Sequence, residues 1–154
     1  MDYKSILHQI EIAVNTIVQM IEKLEDVDLQ KRPTPNKQSI GELLTHLAVI
    51  CEADWRNSNE ATESQMTAFY SENAYTTLQS IKDVLLTSFQ ALKDNYSGLS
   101  DEELIEQTTA YWGITYTRYE WLLEIMAHIY HHRGQLHAML VHCYSKDPKI
   151  MMFE

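Results

Sequence analysis

Apolar residues recur at alternating spacings of four and three along the start of the chain: Tyr3, Leu7, Ile10, Val14, Ile17, Ile21 and Leu24. At about 3.6 residues per turn these positions form one stripe, and Gln9, Glu11, Asn15, Glu22 and Lys23 take much of the remaining surface. The pattern predicts a long bundle helix that closes before Arg32, Pro33, Thr34 and Pro35, because paired prolines disfavour continued helix. Ser39 followed three residues later by Glu42 has the form of a capping box. The helix it opens runs through Leu43, Leu44, Leu47, Ile50 and Cys51 and fades near Trp55 to Asn59. Residues 57–72 are polar and read as a long connection. A third helix is expected over roughly 74–96, with Leu78, Ile81, Leu85, Phe89 and Leu92 inward and a stop at Ser97 and Gly98.

Ser100 to Glu103 opens a short helical turn by the same capping logic. Residues 108–116 are rich in β-branched and aromatic side chains without a helical period and read as an extended loop. Thr117 to Glu120 is one more capping box, and helical pattern continues from there to about Tyr144. The reading is therefore all-α: a single domain over 1–154, built as a four-helix bundle.

Charge narrows the function. Lys plus Arg number 12 and Asp plus Glu 22, a net charge of −10. Clustered positive charge is what holds a phosphate backbone or an anionic lipid surface, so neither nucleic acid nor membrane is an expected partner. Four Gly and three Pro are too few for a turn-rich β fold. The N-terminal segment lacks a continuous signal-type apolar core, and the run Leu43–Cys51 is far shorter than the ~20 residues of a membrane span. Two cysteines without CxxC spacing point to a reducing cytoplasm.

The candidate chemistry lies in the histidines. His128 and His132 are four residues apart, so on a helix they stand about 40° and one turn apart and can converge on one ion. His128 with His131, about 60° apart on the other side, is the competing pair. Taking His128 as zero, the apolar positions from Trp121 to Cys143 span about 20° to 120°, which turns His132 inward and His131 outward or into a supporting position. The same count on the second helix sets His46 at the edge of its apolar arc, where it would be a third ligand. Packing histidines remain the alternative on these grounds alone. Cys143 is about 16 Å along the axis from His132 and cannot share its ion. Cys51 is turned about 140° from His46, and both cysteines read as core fillers. His8, His137 and His142 have no convergent partner.

The run His128, Ile129, Tyr130, His131, His132, Arg133, Gly134, Gln135 and Leu136, with His46 in the Leu-rich segment Ser39 to Ala48 ahead of it, resembles the DinB-like (YfiT-type) superfamily of bacterial proteins. The likeness covers the whole chain. It implies an up-down-down-up bundle with a long connection between helices 2 and 3, and a divalent metal on His46, His128 and His132. Zinc, nickel, manganese and iron are the candidate ions, one per chain. The resemblance further implies a metal-dependent S-transferase using a low-molecular-weight thiol of the bacillithiol type on small electrophiles, with a metal-bound water or thiol as the reactive group. A metal-dependent hydrolase and a non-catalytic metal- or small-molecule-binding stress protein are the alternatives.

Around the triad, Gln135 is placed to orient a ligand or a bound water. Glu124, one turn before His128, is read as a possible acceptor for its other ring N–H or as a solvated carboxylate. Asp54 and Trp55 are candidate pocket groups, and Tyr111 and Trp112 are either substrate-loop residues or lid packing. Gly134 permits a close neighbouring helix or a solvent channel, or is an ordinary helix glycine. Arg133, off the apolar arc, is expected to pair with an acidic neighbour or a partner subunit. Family members often pair, so a homodimer is expected, and the apolar tail Ile150 to Phe153 either covers that partner or folds back on its own bundle.

Overall fold

The computed structural model describes residues 2–154. Its helices are α1 (Tyr3–Ile21), α2 (Ile40–Asn57), α3 (Glu63–Glu72), α4 (Leu78–Ser97), α5 (Asp101–Ile105) and α6 (Arg118–Ala138), with a small antiparallel hairpin, β1 (Gln107–Thr109) and β2 (Thr115–Thr117), between α5 and α6. The four long helices form a closed ring: α1 packs on α4 and α6, and α2 packs on the same two. Apolar stripes meet at its centre, where Ile10, Ile17, Ile40, Leu43, Leu44, Leu47, Ile81, Leu85, Ile125 and Ile129 are all buried.

Capping chemistry sets the starts. Asp2 accepts from the Ser5 N–H at α1. At α2 the reciprocal box is complete: Ser39 Oγ accepts from the Glu42 N–H at 3.1 Å, and Glu42 Oε2 accepts from the Ser39 N–H at 2.8 Å. Arg32 grips the same carboxylate with two bonds of 2.8 Å, fixing the proline loop to the helix. Ser100 and Glu103 form a second complete box. At α6 only half of the expected box exists. Thr117 accepts from the Glu120 N–H, but Glu120 does not return the bond.

Three other expectations need correction. The connection over 57–72 contains α3, capped by Thr62 and Gln65, because Met66 and Phe69 pack on Val49 and Ala53 to make a second small core. Residues 108–116 are not simply a loop. Their ends pair as β1 and β2 around a turn in which Gly113 takes φ 93°, a conformation that favours glycine. The last helix reaches Tyr144 as expected, α-helical to Ala138 and widened into a π-turn over Met139–Cys143. Cys143 on that turn is exposed and is not the core filler expected, whereas Cys51 is buried.

The C-terminal tail folds back on its own chain. Arg133, 3% exposed, donates from Nη1 to Thr16 Oγ1 at 2.9 Å and to the Met152 carbonyl at 2.7 Å, and its guanidinium lies against the stacked rings of Tyr130 and Phe153. The expected acidic partner for Arg133 is thus replaced by a hydroxyl, a carbonyl and two rings. Nearby, the carboxylate of buried Asp28 accepts from Lys31 Nζ at 2.6 Å, Lys146 Nζ at 2.8 Å and the Glu25 N–H at 2.9 Å. It ties the α1–α2 connection to the tail.

Candidate metal centre

His46 projects from the middle of α2, and His128 and His132 project from successive turns of α6, which lies against α2. Their ring centroids are 4.6 to 5.1 Å apart pairwise. One ligand atom from each ring lies within 4.8 Å of the others, and no fourth His, Cys, Asp or Glu joins the group among the described residues. His46 Nε2 and His128 Nε2 are 3.2 Å apart. A tetrahedral ion bound at about 2.0–2.1 Å from each imidazole nitrogen separates its ligands by about 3.3 Å. The His46–His128 spacing fits such an ion.

Hydrogen bonding on the far side of each α6 ring directs its free lone pair towards the cluster. His128 Nδ1 lies 2.7 Å from Asp54 Oδ2. A carboxylate only accepts, so the proton sits on Nδ1 and Nε2 keeps its lone pair. His132 Nδ1 lies 2.9 Å from Gln135 Oε1, which assigns the same tautomer. His46 Nε2 and His128 Nε2 are close enough to share one proton, which an ion bound to both would displace.

Ligand histidines must be neutral, and two of the three rings are held towards that form. Burial, then the neighbouring His132 and His128, holds His46 down to about 4. His132 is also lowered, by burial first, against the upward pull of Gln135. His128 is raised, by the Asp54 hydrogen bond first. This is the ring whose basicity the carboxylate strengthens.

One space borders the cluster and a second lies beyond Gln135. On the Asp54 side, a cavity of about 260 Å³ is walled by His128, Asp54, Glu124 and the aromatic rings of Tyr70, Tyr111, Trp112 and Trp121. On the Gln135 side, an open groove of about 820 Å³ runs under the proline loop, past Arg32, Lys37 and Glu42.

Asp54, expected as a pocket group, lines that cavity and is also the partner of His128. Glu124, considered for that partnership, instead lines the cavity with its carboxyl held above the usual range, by partial burial first and the Asp54 charge second. Trp112 is at the cavity wall. Trp55 is not among the cavity's lining residues and packs against Tyr96 at 5.2 Å. His131 is exposed, edge-on to His132 at 4.8 Å, and outside the ligand group. Gly134 faces open space, with no close helix beside it. Asn57, Tyr70 and Trp121 complete the cavity lining and were not singled out as site residues. Asp54 carried a usable signal, since it stands two turns beyond His46, whereas Tyr70 sits on a helix the polar composition concealed.

A helical bundle with three converging imidazoles at the edge of its core defines a class before any comparison is made. The DinB family model matches residues 2–143, and the chain belongs to the DinB family. Among solved structures, it is similar to a protein assigned to that family from Exiguobacterium sibiricum, with 32% identity over 99% of both chains and a TM-score of 0.86. It shares its fold with a DinB-like protein from Bacillus cereus (17% identity, 89% of both chains, TM-score 0.72) and with one from Bacillus subtilis (20%, 86% of both chains, TM-score 0.66). No match to a curated protein was found.

Proposed function

We propose that this protein is a metal-dependent S-transferase that joins a low-molecular-weight thiol to a small electrophile. The observation that carries the reading is three imidazoles around one point, two of them held towards the neutral form, with no fourth protein ligand among the described residues. Such donor sets leave coordination positions open to guests. A divalent ion bound there supplies Lewis acidity and lowers the pKa of a thiol or water.

The chain's own residues do the positioning. Asp54 and Gln135 hold the Nδ1 protons of His128 and His132 and so fix which nitrogens face the ion. A cavity walled by His128 and a separate groove reaching Gln135, the partner of His132, give room for two small molecules, which favours transfer over hydrolysis of one. In the transfer, a sulfur–carbon bond forms, the carbon–leaving-group bond breaks with its electron pair on the leaving group, and the thiol proton passes to solvent. The family resemblance adds a homodimer with up-down-down-up helix order, and the cysteine usage a reducing cytoplasm.

Elemental analysis of His46→Ala, His128→Ala and His132→Ala beside the unaltered protein tests the centre. Each variant is expected to lose most of its metal with helical circular dichroism intact, whereas His131→Ala keeps it. Retention by all three overturns the site. With metal-loaded protein, consumption of a chromogenic aryl halide only when thiol is present supports transfer. Ester cleavage without thiol replaces it with hydrolysis, and no turnover leaves a binding protein.

A further inference from the structure

The cavity beside His128 has a composition that metal binding does not require. Its ionic groups are two carboxylates, Asp54 and Glu124, and neither Lys nor Arg lines it. Asn57 lies in the same wall, is 7% exposed, and its Oδ1 has no hydrogen-bond partner. Buried acceptors are nearly always paired, so an orphan beside a cavity calls for a donor from a guest. The aromatic walls are arranged edge to face: Tyr111 to Trp112 at 4.9 Å and 89°, Trp112 to Trp121 at 6.2 Å and 89°. Trp121 Nε1–H is spent on Thr108 Oγ1 at 3.0 Å, so its indole offers apolar surface and π density to a guest, not a donor. Electron-rich ring faces attract cations.

We propose that this cavity receives a small protonated amine on a flat, apolar body. The body lies against the rings of Trp112 and Trp121, and the ammonium faces Asp54, Glu124 and the Asn57 carbonyl oxygen. A carboxylate guest would meet two like charges. A quaternary ammonium would satisfy the rings and the charge but has no N–H for Asn57. At about 260 Å³ the space is slightly below the ~300–1,000 Å³ of drug-sized sites, so the guest is small. The groove beyond Gln135 differs in holding Arg32 and Lys37, the former paired with Glu42. This assignment deepens the transferase reading by naming the class of one substrate, and rests on it only for the role of that guest.

The test uses the zinc-loaded full chain, titrated with benzylammonium, benzyl alcohol, benzoate and benzyltrimethylammonium while tryptophan emission is followed. Benzylammonium is expected to bind at least about tenfold more tightly than the alcohol or benzoate, a difference of about 1.4 kcal/mol or more, and several-fold more tightly than the quaternary ion. Glu124→Gln is expected to weaken benzylammonium about fivefold. Asn57→Leu is expected to erase the preference over the quaternary ion, with circular dichroism reporting its fold. Equal binding of amine and alcohol, preference for benzoate, or no saturable binding overturns the proposal.

His132→Ala, depleted of metal, guards against direct ligation of the ion by the amine. Persistence of the preference supports the cavity, and its loss overturns it. Metal content measured on the same samples separates the two readings. Bound metal without amine selectivity sinks only this proposal, and selectivity in a chain that takes up no metal sinks only the metal centre.

Discussion

Asparagine at position 54 keeps an acceptor for the His128 Nδ1 proton but removes the charge, and alanine removes both. The contact is 2.7 Å long, and the carboxylate side chain is only 17% exposed, so solvent screens it weakly. Loss of an outer partner of a metal-bound histidine typically costs 10–100-fold in affinity, or about 1.4–2.7 kcal/mol. A charge-assisted hydrogen bond is roughly twice as strong as a neutral one, which divides that range. Asp54→Asn is expected near the low end, about tenfold weaker for zinc, and Asp54→Ala near the high end, about a hundredfold. Competition with a chromogenic chelator at fixed pH reads both constants, and circular dichroism verifies the fold. Zinc affinities for both variants within twofold of the unaltered protein would refute the argument that Asp54 raises the basicity of His128.

Two glycines predict opposite signs. A Cβ at Gly41 would sit 2.8 Å from the Leu29 carbonyl oxygen and 3.0 Å from Leu29 Cβ, so Gly41→Ala must displace backbone and is expected to cost about 1–3 kcal/mol. At Gly134 a Cβ meets nothing within 4 Å, and Gly134→Ala is expected to stabilise by about 0.5–1 kcal/mol. Thermal melts of the two variants check both, and shifts of the same sign contradict the packing account. Asp28 governs acid stability. Burial would raise its carboxyl, but the Glu25 N–H, Lys146 and Lys31 outweigh that and hold it well below the usual range. A depressed folded pKa contributes stability above the unfolded value of about 4 and loses it as pH falls below that point. Asp28→Asn is expected to cost about 2 kcal/mol at neutral pH and to flatten the acid limb of a melting-temperature profile, and an unchanged acid limb refutes the role.

The fold was legible where one element buries one continuous face. The α1 stripe and the inward series of α4 needed only a count at 3.6 residues per turn, and the Ser39–Glu42 box marked the start of α2 correctly. Reading failed where stabilisation comes from outside the segment. The two apolar anchors of α3, Met66 and Phe69, are too few to set a period, and their partners Val49 and Ala53 lie on another helix. Its cap, Thr62 with Gln65, was visible in the sequence but surrounded by polar residues. The hairpin depends on pairing between Thr108 and Tyr116, a relation between residues that local propensity does not encode.

The same distinction explains the site. A helical count gives each side chain its azimuth on its own axis, which turned His128 and His132 inward, His131 outward and His46 to an edge. It gives no information about how far along one helix another crosses it. Asp54 meets His128 because α2 and α6 pack so that a residue two turns beyond His46 falls beside the neighbouring ring. Arg133 was misread for the complementary reason. Its azimuth points away from the main apolar arc, but the tail returns there and encloses it with Met152 and Phe153. A cation there is held by two oxygens and two rings, each attractive to a guanidinium, although its buried Nε has no partner. Azimuth alone therefore predicts which residues can leave the core, and only the path of the remaining chain decides which of them do.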